Sequence, residues 1–256
     1  IIDITFDAFC SFPDGGGAII ANALKRNASV TDAVFLGGCD EALCNTLAAV
    51  LLCNATLQNL TVYSKRRVGG RWFSSIFHSL GMNTTLKRLS VSILDKLEDK
   101  LCTAIRKALA NNSTLEDLSL HDVLPSDDDG AISARHALSF LRADSTLKSL
   151  TVSFAPTQKA SFVSTFRLEA VKMLESTFLE SLTITNELSG SVMEVEELLA
   201  LISALQLNTT LNTLAFQASC FENISFTDDE VNQLVSMLLK NYGLERHVPD
   251  IPCKDG

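Results

Sequence analysis

The chain has 256 residues, a formal net charge of −9 and a hydrophobic content of 46%. The acidic balance argues against general nucleic-acid binding, because phosphate contacts need clustered Lys and Arg side chains. No run of about eighteen apolar residues occurs, so the sequence predicts no membrane-spanning helix.

A cassette of the form L-x-x-N-x-x-L-x-x-L-x-V recurs along the chain, and its first clear copy runs from Leu51 to Val62. Further copies begin at Leu80, Leu109 and Leu205. The second leucine of the cassette, called the anchor below, recurs every 27 to 33 residues, at Ile1, Val30, Leu57, Leu86, Leu115, Leu147, Leu179, Leu211 and Leu244. A repeat of this length indicates a solenoid, in which each unit covers the apolar face of its neighbour.

Each unit is predicted to form a short strand followed by a helix. From Leu86 onward, apolar and polar residues alternate, which is the pattern of a half-buried strand. Residues 227–230 read T-D-D-E, a capping box that predicts the start of the last helix. Apolar residues at helical spacing predict three of the helices, at Phe73, Ile76, Phe77 and Leu80, at Leu97, Leu101, Ile105 and Leu109, and at Val231, Leu234, Val235 and Leu238.

Stacking these units predicts a curved molecule. Parallel strands lie about 4.8 Å apart, whereas the helices behind them need roughly 8 to 10 Å between axes. The predicted fold class is therefore α/β, a solenoid with a parallel sheet on its concave side and helices on its convex side. Residues 1–256 are predicted to form one domain of about eight to nine repeats.

The cassette resembles that of leucine-rich repeat proteins, in particular the ribonuclease-inhibitor-like subfamily. That group includes the repeat domains of NOD-like receptors, of the Ran GTPase-activating protein and of tropomodulin. The chain departs from the family pattern in two respects. Units from Leu115 onward lengthen to 32 or 33 residues, and the Asn or Cys that usually follows the strand is replaced by Lys65, Leu94, Val123 and Ala155. No regular asparagine ladder is expected from these positions.

The cassette asparagine allows two interpretations. Five copies match the N-glycosylation acceptor N-x-[ST], which would suit a secreted glycoprotein: Asn27, Asn54, Asn83, Asn112 and Asn208. Alternatively, Asn ends the preceding helix in a left-handed conformation, which Asn tolerates better than most residues. Asp144 fills the same slot without forming an acceptor, and this favours the helix-end interpretation.

Cysteine usage favours a reducing, cytoplasmic location. The chain has seven cysteines, so full pairing is impossible, and Cys44 and Cys102 lie on predicted helices, where they would act as small apolar residues. Cys10 and Cys39 occupy the same position in adjacent repeats. They could be a buried pair of thiols or a disulfide.

A protein partner is expected on the concave sheet or the rim loops. Alternation along the strands predicts which residues face the concavity: Asn59, Thr61, Tyr63, Arg88, Ser90, Ser92, Asp117, Ser119, His121, Ser149, Thr151, Ser153, Ser181, Thr183, Thr185, Thr213, Ala215 and Gln217. Tyr63, Arg88, Asp117 and His121 are the distinctive members, since Tyr and Arg are common interface hot spots. Arg88 and Asp117 could instead simply pair with each other.

A second candidate is the basic loop that contains Arg67 and Arg71 and ends in Trp72, the only tryptophan. It could hold an anion or an acidic partner. The alternative is a solvated loop in which Trp72 folds against its helix. The loop lacks the G-x-x-x-x-G-K-[ST] pattern of a phosphate-binding loop.

No catalytic, metal or cofactor site is predicted. The four histidines form no pair at metal-ligand spacing. Asp117, Ser119 and His121 on one strand face superficially resemble a catalytic triad, but a flat, open strand offers neither a pocket nor an oxyanion hole.

The two ends of the chain differ. After Leu244, Pro249 and Pro252 block further strand pairing. By contrast, Ile1 already begins a repeat strand, so an N-terminal cap or further domain is expected upstream, which also allows the chain to be a subunit of a larger assembly. The leading hypothesis is a non-catalytic protein-interaction scaffold. The alternatives are a regulator of a small GTPase, although no arginine of the Ran GTPase-activating protein can be matched, and the ligand-sensing domain of a larger receptor.

Overall fold

In the computed structural model, residues 2–7, 16–37, 40–64, 70–94, 99–124, 138, 146–155, 160–174, 178–186, 195–216, 227, 229, 232 and 236 are described. Strands and helices alternate along these residues, except that only Leu138 is described as helical between Val123 and Ser149. The described strands are β1 Ile2–Asp7, β2 Val30–Gly37, β3 Asn59–Ser64, β4 Arg88–Ser92, β5 Asp117–Val123, β6 Ser149–Phe154, β7 Ser181–Asn186 and β8 Thr213–Phe216. The described helices are α1 Gly16–Leu24, α2 Glu41–Cys53, α3 Gly70–Leu80, α4 Asp99–Asn111, α5 Ala160–Leu174 and α6 Val195–Leu207.

All eight strands form one parallel sheet in sequential order, from β1 to β8. The register aligns the cassettes, because the first strand leucines pair in series: Leu60, Leu89, Leu118, Leu150, Leu182 and Leu214. Crossovers between adjacent parallel strands are right-handed, so sequential order places the helices on one face of the sheet. Among the described helices, α1 packs against α2, α2 against α3, α3 against α4, and α5 against α6. The predicted α/β arrangement with a parallel sheet is confirmed.

The core lies between this sheet and the helices. On β3 and β4, Leu60 and Val62 are buried, as are Leu89 and Val91. The helix predicted from its apolar spacing is confirmed as α3, whose Phe73, Ile76, Phe77 and Leu80 are all fully buried. None of the described helices is long and apolar enough to cross a membrane.

The other two predicted helices are described in part. Leu101, Ile105 and Leu109 are buried on α4, whereas Leu97 lies outside the described residues. All four apolar residues predicted for the last helix also lie outside them. Asp229 and Asn232, together with Ser236, are helical, in agreement with that prediction.

The predicted left-handed conformation of the cassette asparagine is wrong. Asn54 has φ −84° and ψ 129°, and among the described non-glycine residues only Leu94 and Asp122 have positive φ. The side chain, rather than the backbone, explains the Asn. Its Oδ1 accepts from the N–H groups two and three residues later, and its Nδ2 donates to a carbonyl near the end of the previous helix.

This arrangement recurs as an asparagine ladder at the cassette position. That position differs from the one just after the strand, where the sequence has Lys65, Leu94, Val123 and Ala155 and no ladder is expected. The Nδ2 donors of Asn54, Asn83, Asn112 and Asn208 lie 2.7, 2.7, 2.7 and 2.6 Å from the carbonyl oxygens of Leu24, Leu51, Leu80 and Leu174. The last carbonyls of a helix lack intrahelical partners, so each ladder Asn satisfies one of them in the preceding repeat.

Threonine adds a second row of bonds between repeats. The Oγ1 atoms of Thr56, Thr114, Thr146 and Thr210 donate to the carbonyls of Val30, Leu86, Leu115 and Leu179 at 2.9 to 3.1 Å. The row is interrupted in two repeats. Thr85 Oγ1 bonds only within its own repeat, to the Asn83 side chain, and Phe178, which is 78% exposed, replaces Thr in the other.

Three of the cysteines lie in the described part of the chain. Cys44 on α2 and Cys102 on α4 are buried, as predicted for small apolar residues, and Cys53 is exposed. Burial and then the nearby Asp99 carboxylate raise the pKa of Cys102 to about 12. Cys10 and Cys39 lie outside the described residues, so their relationship stays a prediction.

Candidate partner-binding surface

The side of the sheet opposite the helices is called the open face. It comprises Asn59, Thr61, Tyr63, Arg88, Ser90, Ser92, Asp117, Ser119, His121, Ser149, Thr151, Ser153, Ser181, Thr183, Thr185, Thr213 and Ala215. With the exception of Ser92, all of these side chains are exposed or half-buried, whereas the residues between them are mostly core. The predicted alternation is confirmed along β3 to β7, whereas on β8 Thr213, Leu214 and Ala215 are all half-buried. Gln217 lies outside the described residues.

Arg88 and Asp117 form an ion pair on the open face. They are register partners on β4 and β5, and Arg88 Nε lies 2.8 Å from Asp117 Oδ2. Their side chains are 68% and 36% exposed. Such an exposed pair contributes about 0 to 1 kcal/mol to stability. The predicted pairing is therefore present, and the role of both residues in partner binding stays a prediction.

Tyr63 and His121 bring two aromatic rings together at the carboxyl ends of β3 and β5. Their centroids are 5.3 Å apart, with an angle of 31° between the ring planes. The intervening strand carries Ser92, which is the register partner of His121 and is fully buried. Both candidate residues therefore belong to one cluster, although they are 58 positions apart in the chain.

Asp122, which the sequence pattern did not single out, is a further member of this cluster. Asp122 Oδ2 accepts a hydrogen bond of 2.5 Å from Ser92 Oγ, and its φ is 56°. Asp is among the residues that tolerate this left-handed region. Strand alternation places Asp122 on the helix side of the sheet, so only the turn at this residue, which the sequence pattern does not reveal, brings its carboxylate to Ser92.

The effect of His121 on the free energy of unfolding depends on pH. Burial lowers its pKa below the ordinary 6.5, and the neighbouring Asp122 carboxylate partly opposes this. As the pH falls through 6.5, the unfolded chain binds a proton before the folded chain does, so the free energy of unfolding decreases. The free energy of unfolding stops decreasing once the pH is below the pKa of His121 in the folded protein.

We therefore expect the wild-type protein to lose stability relative to His121→Gln when the pH is lowered from about 7.5 to about 5. Urea unfolding of both proteins across this range measures the difference, and the shared titrations of all other groups cancel. A difference that stays constant, or that changes in favour of the wild type at low pH, contradicts the prediction.

The open face is chemically uneven. Its part on β3 to β5 carries the ion pair and the two rings, and Asn59 donates to the carboxylate of Asp32 on β2. Thr31 Oγ1 also donates to Asp32, at 2.6 Å. By contrast, the part on β6 to β8 presents only Ser and Thr side chains and Ala215.

The second candidate surface is described only in part. Arg67 lies outside the described residues, and Arg71 lies in the first turn of α3. Trp72 packs partly buried against the core, and its Nε1 is buried without a hydrogen-bond partner among the described residues. The role of this loop in binding a partner stays a prediction, since residues 65–69 lie outside the described residues.

The three residues that resemble a triad do not assemble as one. Asp117 is engaged by Arg88, and the ring of His121 lies against Tyr63. In the described part of the chain, no group of three or more His, Cys, Asp or Glu residues could hold a metal ion. The non-catalytic role stays a prediction.

No protein-family model matches this chain, and no curated protein does. Among solved structures, it is similar to the actin-binding site 2 of leiomodin-1, with a TM-score of 0.38 and 13% identity. The match covers 58% of this chain and 80% of that chain. Similarity at this level carries no argument about function, and the resemblance to the ribonuclease-inhibitor-like subfamily stays a prediction.

Proposed function

We propose that this chain is a non-catalytic protein-interaction scaffold, a single leucine-rich repeat solenoid of eight to nine repeats that binds a protein partner on the open face. The binding region is the part of that face on β3 to β5. The observation that carries the proposal is the grouping of Arg88, Asp117, Tyr63 and His121 on three adjacent strands.

The chemistry of these four residues supports a binding role. Arg and Tyr are enriched among interface hot spots, because they combine a large contact area with hydrogen-bonding groups. Arg88 is held by Asp117 through Nε, which fixes the guanidinium while leaving its side chain 68% exposed. Residues fixed on strands lose little entropy on binding, so they are suited to recognition.

The arrangement of the repeats supports the same proposal. One parallel sheet with helices on one face has a mismatch between strand spacing and helix spacing. Curvature toward the open face relieves this mismatch and would place the four residues on the concave side of a horseshoe. The GTPase-regulator and ligand-sensing alternatives stay predictions, since no described contact favours either.

Charge reversal on the open face tests this function. We expect Arg88→Glu to reduce partner capture from an extract of the native source about tenfold or more, equivalent to a loss of about 1.4 kcal/mol or more. The reversal removes a fixed hydrogen-bond donor and leaves Asp117 beside a like charge. Retention is measured by quantitative mass spectrometry, after urea unfolding has verified that the variant remains folded.

The chain offers a matched control in a second exposed ion pair. Lys148 Nζ lies 3.2 Å from Glu116 Oε2, and their side chains are 51% and 41% exposed. Lys148→Glu therefore makes the same kind of charge change outside the open face. We expect it to leave capture unchanged. Equal losses for both variants, or full retention by Arg88→Glu, would contradict the proposed surface.

A further inference from the structure

The four ladder asparagines are at once N-glycosylation acceptors in the sequence and buried groups in the fold. Asn54, Asn83, Asn112 and Asn208 each begin an N-x-[ST] tripeptide, and their side chains are only 5 to 6% exposed. In each, Nδ2, the atom to which a glycan would be attached, donates to a carbonyl of the preceding repeat at 2.6 to 2.7 Å. The acceptor atom is therefore enclosed between two repeats.

N-glycosylation is a group transfer to this atom. Nδ2 forms a bond to C1 of a sugar carried on a lipid pyrophosphate, and the bond between C1 and the pyrophosphate oxygen breaks. The lipid pyrophosphate leaves with the electron pair, and one Nδ2 proton passes to a base of the transferase. The product has a bulky polar substituent on the nitrogen. In the folded chain, however, the space between Nδ2 and the carbonyl oxygen accommodates only a hydrogen bond.

We infer that folding and N-glycosylation exclude each other at Asn54, Asn83, Asn112 and Asn208. A glycan attached before folding separates adjacent repeats and leaves buried helix-end carbonyls without donors. A completed fold, conversely, denies the transferase access to Nδ2. The chain therefore reaches its fold where no oligosaccharyltransferase acts on it, which supports the cytoplasmic expectation and argues against a secreted glycoprotein.

The other acceptor tripeptides among the described residues differ in geometry. Asn27 is half-buried, and its side-chain bonds are all accepted by Oδ1. Asn59 is half-buried on the open face, and its Nδ2 donates to the Asp32 carboxylate rather than to a backbone carbonyl. Asn111, directly before a ladder residue, is exposed at the end of α4. The inference is thus specific to the four buried Asn side chains whose Nδ2 donates to a backbone carbonyl of the preceding repeat, and site-resolved mapping can separate them from the rest.

The first test uses purified full-length protein made in the cytosol of a bacterium. The native protein and a proteolytic digest of it are treated with oligosaccharyltransferase and a lipid-pyrophosphate oligosaccharide, and each site is mapped by mass spectrometry. An appended flexible Asn-Gly-Thr tag verifies that the transferase is active. We expect the four sites to be modified in the digest and to remain bare in the native protein. Modification in the native protein would overturn the inference.

The second test directs the chain into the secretory pathway by means of an added signal peptide. We expect the wild-type chain to be glycosylated at ladder sites and to lack a cooperative unfolding transition. A variant with Thr56, Thr85, Thr114 and Thr210 replaced by valine removes these four acceptors and leaves the asparagines in place. It should regain the unfolding transition that it shows when made in the cytosol.

The cytosolic form of this fourfold variant also measures the cost of the lost Thr hydrogen bonds. Where that cost unfolds the variant, the single Thr→Val variants are compared site by site for recovery of folded secreted protein. Wild-type protein that carries sugar on any of the four ladder residues and still unfolds like the cytosolic protein would overturn the inference.

Discussion

Replacing Asn112 with alanine is expected to lower the free energy of unfolding by about 3 to 5 kcal/mol. Its Nδ2 donates to the carbonyls of Leu80 and Asn83 at 2.7 and 2.8 Å, and its Oδ1 accepts from the N–H groups of Thr114 and Leu115 at 2.9 and 2.7 Å. Alanine removes all four bonds and leaves the backbone groups buried. The cost is large because unsatisfied buried groups lose their hydration without compensation.

Urea unfolding followed by circular dichroism and by the fluorescence of Trp72 measures this loss. Trp72 lies on α3, the helix whose last carbonyl Asn112 binds, so its fluorescence reports on the affected interface. The matched control is Asn111→Ala, because Asn111 precedes the ladder residue but is exposed. It should change stability by about 0.5 kcal/mol or less. Similar effects of the two substitutions would refute the structural role assigned to the ladder.

Replacing Phe154 with alanine is the second change with a large expected effect, a loss of about 3 to 5 kcal/mol. Phe154 ends β6 and is fully buried against Phe166 on α5, with ring centroids 5.0 Å apart and an edge-to-face angle of 80°. Truncation removes apolar burial, leaves a cavity between strand and helix, and removes the ring contact. Chemical denaturation measures the change.

Phe178→Ala serves as the matched control, since the same residue type is there 78% exposed. It should cost well under 1 kcal/mol. A double-mutant cycle with Phe154→Leu and Phe166→Leu should give a coupling energy of about 0.5 to 1.5 kcal/mol for the ring pair. A coupling near zero would show that the two rings contribute only through their separate burial.

These two substitutions remove different kinds of contact, one within a repeat and one between neighbouring repeats. Phe154 and Phe166 join the strand of a repeat to the helix that follows it, whereas Asn112 joins one repeat to the next. Stability in repeat proteins is approximately a sum of repeat terms and nearest-neighbour interface terms. The first type of contact stabilises the individual unit and the second its interface. Both are needed to hold Arg88, Asp117, Tyr63 and His121 at fixed separations on the open face.

Much of the fold could be predicted from residue spacing. The apolar positions Phe73, Ile76, Phe77 and Leu80 predicted α3, and alternation from Leu86 predicted the sides of β4. These predictions succeed because burial of one face is a property of each segment, set by a period of 3.6 or 2 residues. The pairing of Arg88 with Asp117 was also foreseeable, since equal repeat positions become register partners.

The role of the cassette Asn could not be read in the same way. Its sequence position agreed with a helix end, a glycan acceptor or a bond between repeats. Asn54 is extended, and its Nδ2 reaches the carbonyl of Leu24, 30 residues earlier. Only the distance between two neighbouring repeats distinguishes these roles, and the residue pattern within one repeat does not predict that distance.

By itself, the sequence determined the alternation of strands and helices, the buried leucines and the residues of the open face, because each depends on local periodicity. The tertiary structure alone decided that Asn side chains bridge the repeats, that Asp122 turns its carboxylate toward Ser92, and that Tyr63 reaches His121 across an intervening strand. Those contacts depend on the spacing of neighbouring repeats and on a single left-handed residue, which arise only when the units are stacked.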